Sequence, residues 1–192
     1  RALMRPRMRG AGRWASTGSL TTMLVPVCRA IQHAHQKGII HRDIKPSNIH
    51  LMGGDPKHIK VLDFGIARLA RPHQWLTKPG TVLGSSGYMA PEQARGDPTL
   101  AAQADIFSLG CVLYQTLVGE RPFEADLETA VLAKILFSEA PRLSQGCPAV
   151  SKSLDNLVAQ MLEKDPNDRP ANGNDLATLL NQVDVKTSQA VT

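Results

Sequence analysis

The sequence predicts an α+β fold in which a mostly helical body carries one small β-hairpin. Two short apolar runs, Ile49–Met52 and His58–Leu62, flank Gly53-Gly54-Asp55-Pro56, which is typical of a hairpin turn. After residue 100, apolar residues recur at helical spacing in several separate segments. The 192 residues are 42% hydrophobic and 20% charged, a composition that supports one globular domain with a single core.

The first 20 residues form a basic segment that we expect to be irregular, because they show no sustained periodicity. They contain arginines but no acid, and they account for the whole formal net charge of +5. The rest of the chain is balanced, so we expect no nucleic-acid partner. We also expect no membrane segment and no secretory signal, which favours a cytoplasmic protein. An organellar transit peptide fits this start only weakly.

The first predicted helix begins near Met23 and ends at Gly38. Pro26 fits this helix only if the helix starts just before it, because proline lacks the backbone N–H that a helix interior needs. Residues 66–90 form a long stretch rich in proline and glycine. A loop of that length inside a compact domain is usually functional or disordered.

The later helices are predicted from their apolar patterns and caps. Ala104–Val118 is apolar nearly all round, which indicates a buried helix. Asp126 can cap a helix that runs to about Ser138, and Ser151 and Asn174 can cap two more.

Two patterns that could suggest a metal site are weak. His33 and His35 lie two residues apart on a helix and therefore point to different faces. The three cysteines, Cys28, Cys111 and Cys147, are far apart and form no Cys-x-x-Cys pair. We therefore expect that the two histidines share no metal ion and that the cysteines form no zinc site.

Residues 41–48, His-Arg-Asp-Ile-Lys-Pro-Ser-Asn, place an acid, a cation and an amide in one tight loop, which we call the polar loop. Phosphoryl transfer requires such a set: a carboxylate that accepts a hydroxyl proton, a cation for the developing charge, and oxygen ligands for Mg²⁺. After the hairpin, Asp63-Phe64-Gly65 adds a second carboxylate, and Gly65 is free to adopt unusual backbone angles.

Both segments resemble motifs of the protein kinase family, namely the catalytic loop and the magnesium-binding motif. Further segments resemble later kinase motifs in the family's order: residues 84–92, 105–110, 119–123 and 164–170. The resemblance covers residues 21–183 and is to serine/threonine kinases of the bacterial type. It implies a protein kinase-like fold, mainly the helical C-lobe with its small β-hairpin.

The resemblance implies roles for residues around the phosphates. Asp43 corresponds to the catalytic base, Lys45 to the lysine that contacts the γ-phosphate, and Asn48 and Asp63 to the two magnesium ligands. His50 falls where kinases usually place an apolar side chain under the adenine ring. The implied cofactors are ATP and Mg²⁺, and the implied partners are protein substrates with serine or threonine hydroxyls.

A second group of residues is implied to support the site. Glu92 and Arg169 correspond to a partly buried pair that braces the substrate-binding segment. Asp105 corresponds to the residue that holds the backbone of the catalytic loop. His41 and Phe64 correspond to two members of a stacked hydrophobic spine.

Arg42 directly precedes Asp43, an arrangement that in the family often implies control by phosphorylation of the activation loop. Thr77 and Thr81 are the candidate acceptors, and Ser85 stands where threonine is common. A phosphate on either threonine adds about −1.5 to −2 charges and could pair with Arg42. The alternative is that both threonines are solvated loop residues.

The largest departure from the family precedes Asp43, where no glycine-rich loop, Val-Ala-Ile-Lys-like lysine or acidic residue occurs. We therefore expect a chain without an N-lobe: 1–20 unassigned, 21–183 a partial kinase domain, and 184–192 a tail. Three functions stay open: the lobe of an active kinase, a truncated lobe that binds partners without catalysis, and a small-molecule phosphotransferase. The intact 84–92 segment argues against the third.

Overall fold

The computed structural model describes residues 17–55, 57–64 and 86–183, with side chains from Thr22 onward. The elements are α1 (Thr17–His35), β1 (Ile49–Leu51), β2 (Ile59–Val61), α2 (Pro91–Arg95), α3 (Ala102–Val118), α4 (Glu128–Phe137), α5 (Leu143–Gly146), α6 (Lys152–Met161) and α7 (Gly173–Gln182). Short 3₁₀ turns lie at Pro46–Asn48, Met52–Gly54, Ser86–Tyr88 and Pro166–Asp168. A mostly helical body with a two-stranded sheet confirms the predicted fold class. None of the described helices is long and apolar enough to cross a membrane.

Helix α3 runs through the centre of the core, as its continuous apolar sequence predicts. Every residue from Ala104 to Tyr114 is buried. At Gly110 an added Cβ would lie 3.0 Å from Leu162 Cδ2 and 3.0 Å from Met161 Cβ, so this glycine allows the end of α6 to pack closely. Helix α7 packs against α1 on another side of the core.

The predicted hairpin is confirmed. Strands β1 and β2 pair antiparallel, with Ile49 opposite Val61 at one end. Gly53 and Gly54 have φ values of 61° and 80°, which glycine adopts without steric cost. Because the polar loop precedes β1 and Asp63 follows β2, the hairpin returns the chain to the polar loop.

Helix α1 starts earlier than predicted, at Thr17 rather than near Met23, so the expected irregular segment was wrong at this boundary. Pro26 lies inside the helix, where a proline costs about 3 kcal/mol or more. The helix offsets this cost by burying four large apolar side chains, each of which contributes roughly 1.5–3 kcal/mol: Met23, Leu24, Val27 and Ile31. The helix is followed, as predicted, by Gly38 in the left-handed conformation, with φ of 71°.

One predicted helix cap is confirmed and two are wrong. Ser151 caps α6 through its side-chain oxygen. The position before α4 is Leu127, which makes no side-chain cap, so Asp126 stands one residue too early. Helix α7 is capped by Asn172 rather than Asn174, because Asn172 is extended, with φ of −162°, and its side chain accepts from two backbone N–H groups of the first turn.

Candidate active site

Asp105, in the first turn of α3, holds the start of the polar loop. Its fully buried carboxylate accepts the backbone N–H of His41 at 2.8 Å and that of Arg42 at 2.9 Å. Arg42 has a φ of 67°, a left-handed conformation that is unfavourable for a residue with a Cβ. The two bonds to Asp105 stabilise this turn and therefore set the direction in which the next residue, Asp43, leaves it.

Asp43, Lys45 and Asn48 meet at one carboxylate. The Asn48 amide nitrogen donates to the backbone carbonyl of Asp43 at 2.8 Å and to its Oδ2 at 3.2 Å. The Lys45 Nζ lies 2.8 Å from the same Oδ2. The side chains of Asp43 and Lys45 keep 15% and 22% of their surface exposed, so a partly accessible acid lies beside a partly accessible cation.

The polar loop also holds the residue before Asp63 by both of its backbone groups. The Leu62 N–H donates to the carbonyl of Asn48 at 2.9 Å. The His41 Nε2 lies 3.0 Å from the Leu62 carbonyl, which can only accept, so Nε2 carries the hydrogen. These bonds place Asp63, which is exposed and has a φ of 58°, directly beside the polar loop.

His41 is fixed through both ring nitrogens and through its ring face. Its Nδ1 accepts the backbone N–H of Asp43 at 3.3 Å, while Nε2 donates to Leu62. The ring lies against Phe64, with centroids 4.5 Å apart and planes tilted by 40°. His41 is fully buried and therefore links the polar loop to the segment that carries Asp63.

Glu92 and Arg169 form a buried, two-pronged ion pair. The two terminal nitrogens of Arg169 donate to the two carboxylate oxygens of Glu92 at 2.8 and 2.9 Å. The three remaining N–H groups of Arg169 donate to backbone carbonyls, those of Gln103, Glu163 and Lys164. The guanidinium therefore has a partner for all five of its donors, and it lies 5.0 Å from the ring centroid of Phe107.

His50 lies on β1 with its ring only partly exposed. Its Nε2 is 2.8 Å from the backbone carbonyl of Ser47, to which it donates. The Nε2 of His50, a residue that stands where kinases usually have an apolar side chain, therefore has its hydrogen-bond partner within the polar loop.

Two residues that support the polar loop were not predicted. The Gln93 side chain accepts the N–H of Ala90 at 3.1 Å and donates to the carbonyl of Arg42 at 3.0 Å. The first of these bonds follows the local capping pattern of a Gln at the third helical position, but the second spans 51 residues. His35 binds Asp105, a contact that no local pattern indicates. Gly65, Thr77, Thr81 and Ser85 lie outside the described residues.

The oxygen donors fit a hard cation such as Mg²⁺. Asn48 donates from its amide nitrogen to Asp43. Its amide oxygen accepts from the Ser47 hydroxyl at 3.3 Å and has a second lone pair that could bind a cation, and Asp63 adds an exposed carboxylate. Mg²⁺ is usually held by one or two such groups together with phosphate oxygens. Among residues 17–55, 57–64 and 86–183, no group of three or more His, Cys, Asp or Glu side chains is placed to hold a metal ion.

Comparisons with known proteins find similarity to protein kinases. Residues 8–182 match the protein kinase domain family. The serine/threonine-protein kinase Pkn1 of Myxococcus xanthus is 41% identical over 164 residues, which cover 82% of this chain and 24% of Pkn1. The serine/threonine-protein kinase PknB of Mycobacterium leprae is 40% identical over 147 residues, which cover 77% of this chain and 23% of that protein. The chain thus spans about a quarter of the length of the curated relatives it matches.

The family generally uses ATP and Mg²⁺ and acts on protein substrates. The buried Asp105 anchor, the acid, cation and amide that meet at Asp43, and the Glu92–Arg169 pair occur here on a chain that matches the family over most of its length. The resemblance seen in the sequence is confirmed: this chain belongs to the protein kinase domain family, among the serine/threonine kinases of the bacterial type.

Proposed function

We propose that this chain supplies the catalytic lobe of a kinase that transfers the γ-phosphate of ATP to serine and threonine hydroxyls of proteins. The observation that carries the proposal is the meeting of Asp43, Lys45 and Asn48 at one carboxylate oxygen. Asp63 is held next to them because the polar loop binds both backbone groups of Leu62. An acid, a cation and two oxygen ligands are the parts that phosphoryl transfer requires.

Asp43 is the base in this proposal. Its carboxylate accepts a hydrogen bond from the substrate hydroxyl and takes the proton as the hydroxyl oxygen bonds to the γ-phosphorus. The bond from that phosphorus to the bridging oxygen breaks, and ADP leaves. Lys45, whose Nζ lies 2.8 Å from the Asp43 carboxylate, would contact the transferring phosphate and stabilise its negative charge.

Asn48 and Asp63 would hold Mg²⁺ through their side-chain oxygens. Such an ion, when bound, would neutralise charge on the phosphates of ATP. His50 would lie under the adenine ring. The bond from its Nε2 to the carbonyl of Ser47 fixes the orientation of the imidazole, which supports this placement. ATP as the donor also favours the cytoplasm as the location.

We propose further that phosphoryl transfer requires an N-terminal kinase lobe, and that these 192 residues alone turn over little or no ATP. The sequence before Asp43 contains no acidic residue and no lysine in a Val-Ala-Ile-Lys-like strand, the parts that orient the phosphates in kinases. The alternative is a lobe that binds partner proteins without catalysis.

The test joins residues 21–192 to the N-lobe of a related serine/threonine kinase and measures transfer of labelled phosphate to serine and threonine peptides. We expect activity that depends on Mg²⁺ and falls by about 10²–10⁴-fold in Asp43→Asn, because the base is lost. Asp126→Asn, the same change at an exposed site, is the control and should be fully active. Full activity in Asp43→Asn would refute the role of Asp43, and an inert but folded fusion that still binds partners would favour the alternative.

Control by phosphorylation of Thr77 or Thr81 is part of the same proposal. Arg42, in its left-handed turn, would bind the phosphate and order the activation loop, which carries both threonines. Mass spectrometry of the active fusion should find phosphate on one of the threonines, and Thr77→Ala with Thr81→Ala should lower kcat/KM. An unmodified segment with unchanged kinetics in the double variant would remove this role from Arg42.

A further inference from the structure

Gly87, in the 3₁₀ turn Ser86–Tyr88, lies directly against the side chain of Arg121. A Cβ added to Gly87 would lie 2.9 Å from the Nη1 of Arg121, 3.0 Å from its Cδ and 3.3 Å from its Cζ. A larger residue at position 87 therefore fits only if Arg121 moves. The φ of Gly87 is not positive, so the space that Arg121 occupies, rather than backbone freedom, accounts for the glycine.

The turn that Arg121 contacts is fixed to α3. The Tyr88 hydroxyl donates to the Gln115 Oε1 at 2.5 Å, and the Ser108 hydroxyl donates to the Tyr88 carbonyl at 2.7 Å. Burial raises the pKa of the Tyr88 hydroxyl, and the positive charge of Arg121 opposes that rise, so the guanidinium lies near Tyr88 as well. Arg121 therefore presents its charge along a turn that needs no ordering when a ligand binds.

The same turn lies a short length of chain from the polar loop. The Gln93 side chain accepts the N–H of Ala90 and donates to the carbonyl of Arg42, so these two backbone groups are neighbours. The turn precedes Ala90 by two to four residues, a stretch that spans at most about 14 Å. A peptide whose hydroxyl reaches Asp43 can therefore place one of its neighbouring side chains at Arg121.

Arg121 is paired with an acid of its own chain. Its Nη2 donates to the Glu124 Oε1 at 2.9 Å, and the side chains of Arg121 and Glu124 are 16% and 53% exposed, respectively. An ion pair with so exposed a carboxylate contributes little to stability, because water solvates the carboxylate well when it leaves. Glu124 can therefore be displaced at low cost, while the more enclosed Arg121 stays against Gly87.

We propose that Arg121 is a specificity-determining residue that binds a carboxylate side chain of the protein substrate, close to the hydroxyl that accepts the phosphate. Glu124 takes the place of that carboxylate in the free chain, and the substrate displaces it. A guanidinium binds a carboxylate with two parallel N–H···O bonds, which a neutral side chain cannot match. This role rests on the proposed function, since it names the substrate class of that same site.

The opposite assignment of the same pair is that Glu124 binds a basic substrate residue and Arg121 only holds Glu124. The exposed acids Glu120 and Asp126, which flank the pair in sequence, favour that assignment. The contact with Gly87 favours Arg121, because it brings the guanidinium rather than the carboxylate against the turn beside the polar loop. The two assignments predict opposite effects of Glu124→Gln.

The first test is NMR of the ¹⁵N-labelled 192-residue chain, which requires no phosphate transfer. Serine peptides with one Asp, placed in turn at each of about four positions on either side of the serine, are compared with the same peptides carrying Asn. At one position we expect the Asp peptide to bind roughly three- to tenfold more tightly, as for one partly exposed charged contact, and to shift the signals of the Arg121 Nε–H and the Gly87 amide. Equal binding of Asp and Asn peptides at every position would overturn the proposal.

Three variants assign the effect. Arg121→Gln should abolish the preference for Asp, and Glu124→Gln should increase it, because the competing carboxylate is gone. Arg29→Gln, the same change at an exposed site on α1, is the control and should leave the preference unaltered. The readout is the ratio between the two peptides, since a merely structural fault in the turn weakens both alike. A preference for basic peptides that disappears in Glu124→Gln would assign the contact to Glu124 and overturn the proposal, even if Arg121→Gln does not fold.

The kinetic arm measures the same ratio as kcat/KM in the active fusion, where the Asp peptide should again be preferred and Arg121→Gln should remove the preference. Tighter binding of the Asp peptide by a fusion that transfers no phosphate would refute the proposed function and leave Arg121 as a peptide-binding residue. An active fusion with equal kcat/KM for the Asp and Asn peptides would overturn the specificity role alone. Peptides that are neither bound nor phosphorylated would overturn both.

Discussion

Arg169 binds both carboxylate oxygens of Glu92, at 2.8 and 2.9 Å, across 77 residues of sequence. The contact joins α2, which contains Glu92, to the loop before α7, which contains Arg169, and both side chains are buried. Because a buried charge without its partner is strongly unfavourable, this pair should hold residues 86–92 to the helical body.

Arg169→Lys should lower the free energy of unfolding by about 1–3 kcal/mol, because lysine keeps the charge but cannot donate to two carboxylate oxygens and three carbonyls at once. Urea denaturation followed by circular dichroism measures the effect. Arg95→Lys is the matched control, since Arg95 forms an exposed pair with Asp97 at 3.2 Å and should change stability by less than about 1 kcal/mol. Similar losses in both variants would contradict the role given to burial.

Gln93 should couple the start of α2 to the polar loop. Gln93→Leu leaves the N–H of Ala90 and the carbonyl of Arg42 without their side-chain partner, at a cost of about 1–3 kcal/mol in stability. Gln160→Leu, on the exposed face of α6, is the control and should be nearly neutral.

Gln93→Glu separates the two halves of this contact. It keeps the acceptor for the N–H of Ala90 but removes the donor to the carbonyl of Arg42. In the active fusion we therefore expect the loss in kcat, expressed as a free energy, to exceed the loss in the free energy of unfolding. Equal kcat in the glutamate variant and the wild type would show that the bond to Arg42 does not affect the polar loop.

Lys164 should make stability depend on pH above pH 8. Burial lowers the pKa of its ammonium from 10.5 to about 8, although its Nζ donates to the carbonyl of Ile135 and lies 4.2 Å from the Phe123 ring centroid. Between pH 8 and 10.5 the unfolded chain therefore binds more protons at this lysine than the folded chain does. The contribution of Lys164 to the free energy of unfolding should rise across that range.

The measurement compares the wild type with Lys164→Met by urea denaturation from pH 7 to 10.5. The stability difference between them should move in favour of the wild type by about 1 kcal/mol or less, because Lys164 is only half-buried and solvent screens its charge. Burial raises the pKa of the Cys28 thiol to about 12, but this effect is present in both proteins and cancels. Lys152→Met, at an exposed site, should show no such trend, and a flat difference for Lys164→Met would contradict the lowered pKa.

Local patterns predicted the parts of this molecule that depend on neighbours in sequence. The hairpin follows from Gly53-Gly54, the buried helix α3 from its unbroken apolar sequence, and the cap at Ser151 from a serine before an apolar face. The start of α1 was missed because Pro26 was weighed as a breaker, whereas burial of the helix in the core outweighs it.

The residues that sequence reasoning missed act across long separations. Gln93 reaches a carbonyl 51 residues away, and His35 reaches a carboxylate 70 residues away. Neither partner can be read from a window of neighbouring residues. The acid, cation and amide of the polar loop could be predicted because they lie within six residues of one another, from Asp43 to Asn48.

The most direct test of the account is a crystal structure of the fusion of residues 21–192 to a related N-lobe, with Mg²⁺ and a non-hydrolysable ATP analogue. We expect the Asp43 carboxylate to face the γ-phosphate, and Mg²⁺ to contact the side-chain oxygens of Asn48 and Asp63. Carboxylates of Asp43 and Asp63 on opposite faces of the lobe, or a metal bound away from both Asn48 and Asp63, would contradict the phosphotransfer site proposed for this chain.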